Sequence, residues 1–310
     1  MESRSLLHYC GTSSIRVGKP YGEPQSRSHG TSRVSRHLDV CQPEAMAAGR
    51  RWTREELLVA LNLYHKLNFG QLHARQPAVI AIALRLDRSP NSLAMKLVNL
   101  ASLDPALKLR GIRGLEGASA RDQEVWDEFH SNLNQLAPAS EDALRQLFEV
   151  SESDDIEVTS RDGIRISARL PAGPTAVSAT TTIRRGQDYF RNAVLNNFDG
   201  RCGVSGLAVR SLLVASHILP WGSHPSERLN VRNGLALSRL HDAAFDQYFI
   251  AFDDELRLIL STKLKAALPD RTLEDAFVAY EGRPLKIPSD GIQPDPSFLA
   301  EHRAKTLRLN

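Results

Sequence analysis

The stretch SLLVASHILPWGSHPSERLNVRNGLALSRLHDAAFDQYF, residues 211–249, narrows most sharply what this chain can fold into. Its start, SLLVASHI, reads as a short buried strand. Pro220 cannot donate to a strand ladder and ends it. A polar loop through GSHPSERLNV leads to Asn233, and ALSRLHDAAFDQYF follows as a helix on which Phe245 and Phe249, four residues apart, share a core-facing side. FIAFDDELRLILS then reads as a hairpin turning at Asp253 and Asp254. Strand, loop, strand and helix in this order make the plan of a small metal-binding finger. The plan holds His217 at a strand end, where the nearby proline keeps the strand short and leaves the imidazole open to a cleft.

Upstream, residues 1–45 are rich in Ser, Arg, Gly and Pro and carry neither helical nor strand periodicity, the pattern of a disordered extension. A helical pattern begins just after Met46, which marks that methionine as an alternative start of translation. From Trp52 the chain turns helical. Thr53 with Glu56 forms a capping box ahead of the apolar stripe Leu57, Leu58, Leu61, Tyr64 and Leu67. PAVIAIALRL is a second helix with Pro77 in its first turn. After the short turn DRS, SPNSLAMKLVNLASL is a third, capped by Ser89 with Pro90 just inside. Helix, short polar turn, helix is the helix-turn-helix arrangement, with Asn91, Ser92, Lys96 and Asn99 as candidate base and phosphate contacts; an ordinary helical bundle fits the same pattern. A further helix over SARDQEVWDEFHSNLNQL closes a helical domain, 46–136. Residues 137–182 contain SESDDIE and LPAGPTAVSATTT without sustained period and read as an acidic, partly disordered linker. A third segment, 183–310, holds the finger.

Charge follows the same division. Residues 46–135 carry 12 basic and 9 acidic side chains, residues 136–182 carry 4 and 8, and residues 183–262 carry 9 and 8. A formal net charge of +3 over 310 residues implies no nucleic-acid partner by itself. Cys10, Cys41 and Cys202 form no CxxC and fit reduced thiols, which excludes a disulfide scaffold and a four-cysteine zinc site. No apolar run is long enough to span a bilayer and no secretory signal opens the chain, so a cytoplasmic location is expected.

His217, Asn233 and the His241/Asp242 pair are spaced by 16 and then 8 or 9 residues. In that order, and in the phrasing ASHILPW…RLNVRNGLALSRLHDAAFD, they resemble the HNH nuclease motif with its ββα-metal fold. The similarity is closest to the restriction-type branch, which RRGQDYFRNAVL, LKIPSDGIQPDPSFLAEHR and WTREELL…RSPNSLAMKLVNLASLDP also fit, so it covers most of residues 50–305. The resemblance implies an α+β chain: an N-terminal all-helical, helix-turn-helix-like domain followed by a C-terminal ββα-metal HNH nuclease domain.

It also implies a metal-dependent endonuclease acting on double-stranded DNA, of restriction or defence type. In that chemistry a base takes a proton from water and a divalent cation stabilises charge on the phosphorane and the leaving oxygen. His217, titrating near neutral pH, is the expected base. Asn233 is expected to fix the loop that presents it and to orient its imidazole by a hydrogen bond. His241 and/or Asp242 are expected to hold the ion, Asp242 suiting Mg²⁺ or Mn²⁺ and His241 suiting Zn²⁺, Mn²⁺ or Ni²⁺. Arg191 and Arg239 are candidate phosphate contacts, whereas Asp246 reads as an anchor of the next strand, His224 as a surface residue and Trp221 as packing beneath the loop.

Two departures stand out. Ser216, a poor ligand, sits where many relatives carry Asp, Glu or His, and CGVS and SRLH replace the CxxC pairs of zinc-bearing relatives, which implies that the structural zinc is absent. These departures motivate the rival reading of a non-catalytic DNA-binding protein with a decayed motif; a helical protein-interaction module is a second rival. Because one HNH unit cuts one strand, double-strand cleavage would call for a homodimer.

Overall fold

Helix α1, Arg54–Tyr64, starts where its capping box dictates. The Glu56 amide donates to Thr53 Oγ1 at 3.2 Å and the Thr53 amide to Glu56 Oε2 at 2.9 Å. The computed structural model describes residues 50–112, 117–168 and 181–308, which belong to one compact unit, 45–310. The reading of residues 1–45 therefore lies outside the described residues. Around α1, buried on nearly every side, pack α2, Pro77–Arg85, and α3, Pro90–Ala101. As read from the sequence, Ser89 caps α3, accepting from the Ser92 amide at 3.1 Å, and Pro90 opens it. A short α4, Pro105–Leu109, leads to α5, Ala120–Ser131, and α6, Leu133–Leu147.

Lys96, read from the sequence as a candidate DNA contact, is buried and paired in this fold. Its Nζ lies 2.8 and 2.7 Å from the two carboxylate oxygens of Asp122, both residues are buried, and the ammonium also lies over the Trp52 ring. The pair joins α3 to the first turn of α5. Asn91 is exposed at the start of α3, and Asn99 donates to the Gly117 carbonyl at 3.1 Å.

Most of the segment expected as a linker is ordered secondary structure. Residues 137–147 continue α6, and residues 154–168 form a hairpin of β1, Asp154–Thr159, and β2, Gly163–Ala168, antiparallel in the register Asp154↔Ala168 to Thr159↔Gly163. Local pattern misses α6 because Pro138, a helix breaker, lies inside it and the polar Ser140, Glu141 and Arg145 share its buried face with Ala137 and Leu144. Glu141 and Lys66 form a fully buried ion pair, and Asn62 Nδ2 donates to Ser140 Oγ and Glu141 Oε2, each at 3.0 Å. Residues 169–180 of the expected linker lie outside the described residues.

Helix α7, Thr181–Asn197, ties this front part to the finger. Its Asn196 Nδ2 donates to the carbonyls of Lys66 and Val158, at 2.9 and 2.7 Å, so α1 and the hairpin share one anchor on α7. On its other side Phe190 and Val194 meet the backbone at Gly234, where an added Cβ would fall 2.3 Å from Val194 Cγ2, an approach that only glycine allows. Gly234 begins β4, Gly234–Ser238, paired antiparallel with β3, Leu213–His217, in the register Leu213↔Ser238 to His217↔Gly234. Helix α8, Arg239–Asp246, follows at once, with Ser238 accepting from the His241 amide at its N-terminus.

The expected hairpin forms as β5, Ile250–Phe252, and β6, Leu258–Leu260. The short helices α9, Thr262–Lys265, and α10, Arg271–Ala276, precede α11, Pro296–Arg308, which packs on β5. The architecture is α+β, helical in front with small hairpins and helices behind. Among the described residues no helix is long and apolar enough to cross a membrane.

Candidate active site

Strand β3, the loop after it and α8 enclose an open cleft of about 460 Å³, lined among others by Ser216, His217, Trp221, Asp242, Asp246 and His302. His217 closes β3 opposite Gly234, half-buried between two rings. It stacks on Phe190 with centroids 4.0 Å apart and planes 10° apart, and meets Trp221 edge-on at 5.4 Å. Its Nε2 lies 2.9 Å from the Arg228 carbonyl, which can only accept, so Nε2 carries the proton and Nδ1 the lone pair. Nδ1 has no hydrogen-bond partner among the described residues. Burial holds the imidazole below its ordinary pKa, against the opposing pull of the Arg228 carbonyl and the Asp242 carboxylate. The ring is thus neutral at neutral pH and fixed in one tautomer, the state a general base requires.

Asn233 is buried and clamps the loop that carries this arrangement. Its Oδ1 accepts from the Leu219 amide at 2.8 Å, while Nδ2 donates to the carbonyls of Glu227 and Leu219 at 3.0 and 3.3 Å. The loop-fixing role expected of Asn233 has this geometry. The His217 ring, however, donates its hydrogen bond to the Arg228 carbonyl and not to Asn233. Arg228 is held in turn by its Nε–H donating to the Trp221 carbonyl at 2.8 Å, with its guanidinium over the Trp221 ring. Trp221 is accordingly a wall of the cleft as well as a packing residue.

His241 and Asp242, adjacent in sequence, point to different places. His241 is buried, its Nδ1 2.6 Å from Ser238 Oγ and its Nε2 2.9 Å from the Ala276 carbonyl, beside Phe277 and Tyr280. It is not among the residues lining the cleft, and both ring nitrogens are engaged. Cys202 Sγ sits 3.7 Å from His241 Nδ1; burial raises the thiol pKa, but its contacts with His241 and Ser205 outweigh it and bring the value down to about 6.

Asp242 does line the cleft, and burial raises its carboxyl above the ordinary range against the pull of Ser216, Arg239 and His217. Asp246, one turn further along the same face of α8, is raised by burial and by the Asp242 charge. Its place is in the cleft, beyond the strand-anchoring role the sequence suggested; the four-residue spacing from Asp242 was the available signal. The Ser216 hydroxyl faces the same space, buried and without a hydrogen bond of standard geometry among the described residues.

The chemistry of two carboxylates, Asp246 raised in part by the charge of Asp242, beside a hydroxyl fits a hard cation. Mg²⁺ is commonly held by one or two carboxylates, with water and substrate phosphate completing the shell. No group of three or more His, Cys, Asp and Glu side chains among the described residues is placed to hold a metal.

The two arginines read as phosphate contacts differ. Arg191 is half-buried, donating to the carbonyls of Leu213 at 2.9 Å and Arg210 at 3.4 Å, where it secures the entry to β3. Arg239 is exposed at the start of α8, without an ion pair among the described residues. His302, from α11, is a cleft residue that the sequence did not reveal. It stacks on Phe245 at 3.7 Å, and its Nε2–H donates to the Phe245 carbonyl at 3.0 Å.

Strand β3 and helix α8 thus bring an imidazole and two carboxylates to the lining of one cleft. Residues 202–253 match the HNH endonuclease family, so the chain carries an HNH endonuclease domain over those residues. No curated protein matches the chain.

Proposed function

We propose that the protein is a metal-dependent endonuclease of double-stranded DNA, with His217 as general base and Asp242 and Asp246 as the residues that would hold a divalent cation, Mg²⁺ or Mn²⁺. One observation carries the reading: the Arg228 carbonyl fixes the His217 proton on Nε2, leaving Nδ1 as the acceptor in a cleft that also holds the two carboxylates. A bound cation would supply charge stabilisation for the phosphorane and the leaving oxygen.

The chain's own groups do the rest. His217 Nδ1 accepts the proton of the attacking water, and the Asp242 carboxylate favours the imidazolium that results. Asn233 keeps the loop, and with it the Arg228 carbonyl, in place. The stack on Phe190 limits the ring to one orientation. Arg239, exposed and close enough for its charge to act on Asp242, contacts the phosphate on the substrate side.

The helical front part supports DNA engagement through the exposed start of α3 at Asn91, with Lys96 serving the fold instead. A restriction or defence role, a cytoplasmic location and a homodimer that cuts both strands belong to the same reading. Plasmid nicking with Mg²⁺ or Mn²⁺, run in parallel on unmodified and methylated DNA, tests it: cleavage dependent on both metal and modification state supports the restriction role, and absence of nicking with every metal points to the decayed, DNA-binding form.

A further inference from the structure

A second concave site lies beyond the opposite end of β3 from His217. It encloses about 180 Å³ between the turn of the β1–β2 hairpin, the end of α7 and the segment leading into β3, and four arginines line it: Arg161, Arg165, Arg201 and Arg210. Two carboxylates, Asp162 and Asp199, share the lining. Arg210 is committed to the fold, paired with Glu157 at 3.3 Å and donating to Asn196 Oδ1 at 3.0 Å. Arg165 reaches Asp162 only at 4.0 Å and stays exposed, and Asp199 accepts from Ser160 at 3.3 Å. Arg161 and Arg201 are exposed with no carboxylate partner among the described residues, Arg201 reaching only the Gly206 carbonyl at 3.5 Å.

These cations do not stand apart from the cleft. Arg191 holds the segment that runs from the pocket into β3, through its bonds to the Arg210 and Leu213 carbonyls. Arg239 also acts on Asp242 in the cleft. The segment from Arg210 to His217, a short helical turn and β3 together, joins the arginine pocket to the cleft. At about 3.3 Å per residue β3 is roughly 13 Å long, and a duplex strand advances about 3.4 Å per phosphate along its axis. The arginine pocket thus sits a few phosphates from the cleft.

We propose that Arg161, Arg165 and Arg201 bind the DNA backbone flanking the scissile phosphate, so that the hairpin outside the HNH domain sets the substrate's register in the cleft. The inference rests on the DNA endonuclease reading above. Exposed guanidiniums on a concave wall, only one of them near a carboxylate among the described residues, are suited to phosphate oxygens, which they can meet with two parallel hydrogen bonds. Such contacts position a duplex without reading its sequence.

The test uses the full-length chain and a fluorescent 30-base-pair duplex, with dissociation constants measured by anisotropy over a salt series without divalent metal. For Arg161→Gln/Arg165→Gln/Arg201→Gln, binding at low salt is expected to weaken about tenfold or more, and the slope of log K against log salt to become shallower by about two to three. Arg271→Gln, which removes a highly exposed arginine paired only with Asp275 on α10, should leave the slope unchanged. Equal slopes for the triple variant and the wild type, with both folded by circular dichroism, would overturn the inference while leaving the endonuclease reading intact. Failure of the wild type to bind the duplex at low salt would instead remove the reading on which the inference rests.

Discussion

The Nε2 of His217 donates to the carbonyl of Arg228 at 2.9 Å, and through that bond the loop after β3 decides which ring nitrogen can accept a proton. Arg228 is itself pinned to Trp221, and Asn233 closes the same loop from the other side. The chemistry of the cleft is set by a backbone carbonyl eleven residues from the imidazole in sequence.

Asn233→Ala is expected to loosen this loop. The substitution leaves the Leu219 amide and two carbonyls without their partners, a loss of about 1 to 3 kcal/mol of stability. Cleavage should fall further than stability explains, because the Arg228 carbonyl would no longer be held against the ring. Chemical denaturation and single-turnover cleavage on the same preparation measure the two effects separately.

The cation is expected to follow Asp242 and Asp246 and to ignore His241. Asp242→Asn should weaken Mn²⁺ binding about tenfold or more in calorimetric titration, since loss of one of two carboxylates removes half of the site's charge. His241→Gln should lower the thermal midpoint by disturbing the buried contacts to Ser238 and Ala276, while Mn²⁺ affinity stays as in the wild type.

Lys96→Ala is expected to damage the fold and not DNA affinity as such. It leaves Asp122 buried without its cation, a class of change that costs about 3 to 5 kcal/mol. Lys96→Met together with Asp122→Leu should recover much of that loss, and the double variant's DNA affinity should match the wild type by anisotropy. Unchanged stability in the single variant would contradict the buried pair.

These outcomes separate what the sequence discloses from what it conceals. Local rules recover the capping box at Thr53 and Glu56, the Ser89–Pro90 start of α3, and the order of strand, loop, strand and helix around His217. Each depends on neighbours in the chain. The sequence could not choose between His241 and Asp242, because adjacent helical positions differ by about 100° around the axis and the choice depends on how α8 is docked. Lys96 resembles a surface cation until Asp122 is brought to it from another helix. Helix α6 escaped for the same reason, since it carries Pro138 and its buried Glu141 finds Asn62 on α1 and Lys66 just past it. His302 reaches the cleft from α11, and no local pattern announces it.

His302 also gives the protein a sign for its response to acid. Burial holds its imidazole down to about 4 in the folded chain, against about 6.5 when unfolded. Between those values the unfolded chain binds a proton that the native state does not, so stability rises with pH across the window and is lost as pH falls from about 6.5 to about 4. His65 and His130, also lowered chiefly by burial, act in the same direction. Denaturant midpoints from pH 7 to pH 4.5 should fall in the wild type and fall less steeply in His302→Gln; equal slopes would contradict a neutral, buried His302.

The most direct measurement of the central claim is single-turnover cleavage of supercoiled plasmid with saturating Mg²⁺ or Mn²⁺, comparing the wild type with His217→Ala. Nicking by the wild type and a loss of about 10² to 10⁴ in rate for the variant, with duplex binding retained, is the expected result. Cleavage by His217→Ala at the wild-type rate would contradict the assignment of the base and with it the reading of the cleft.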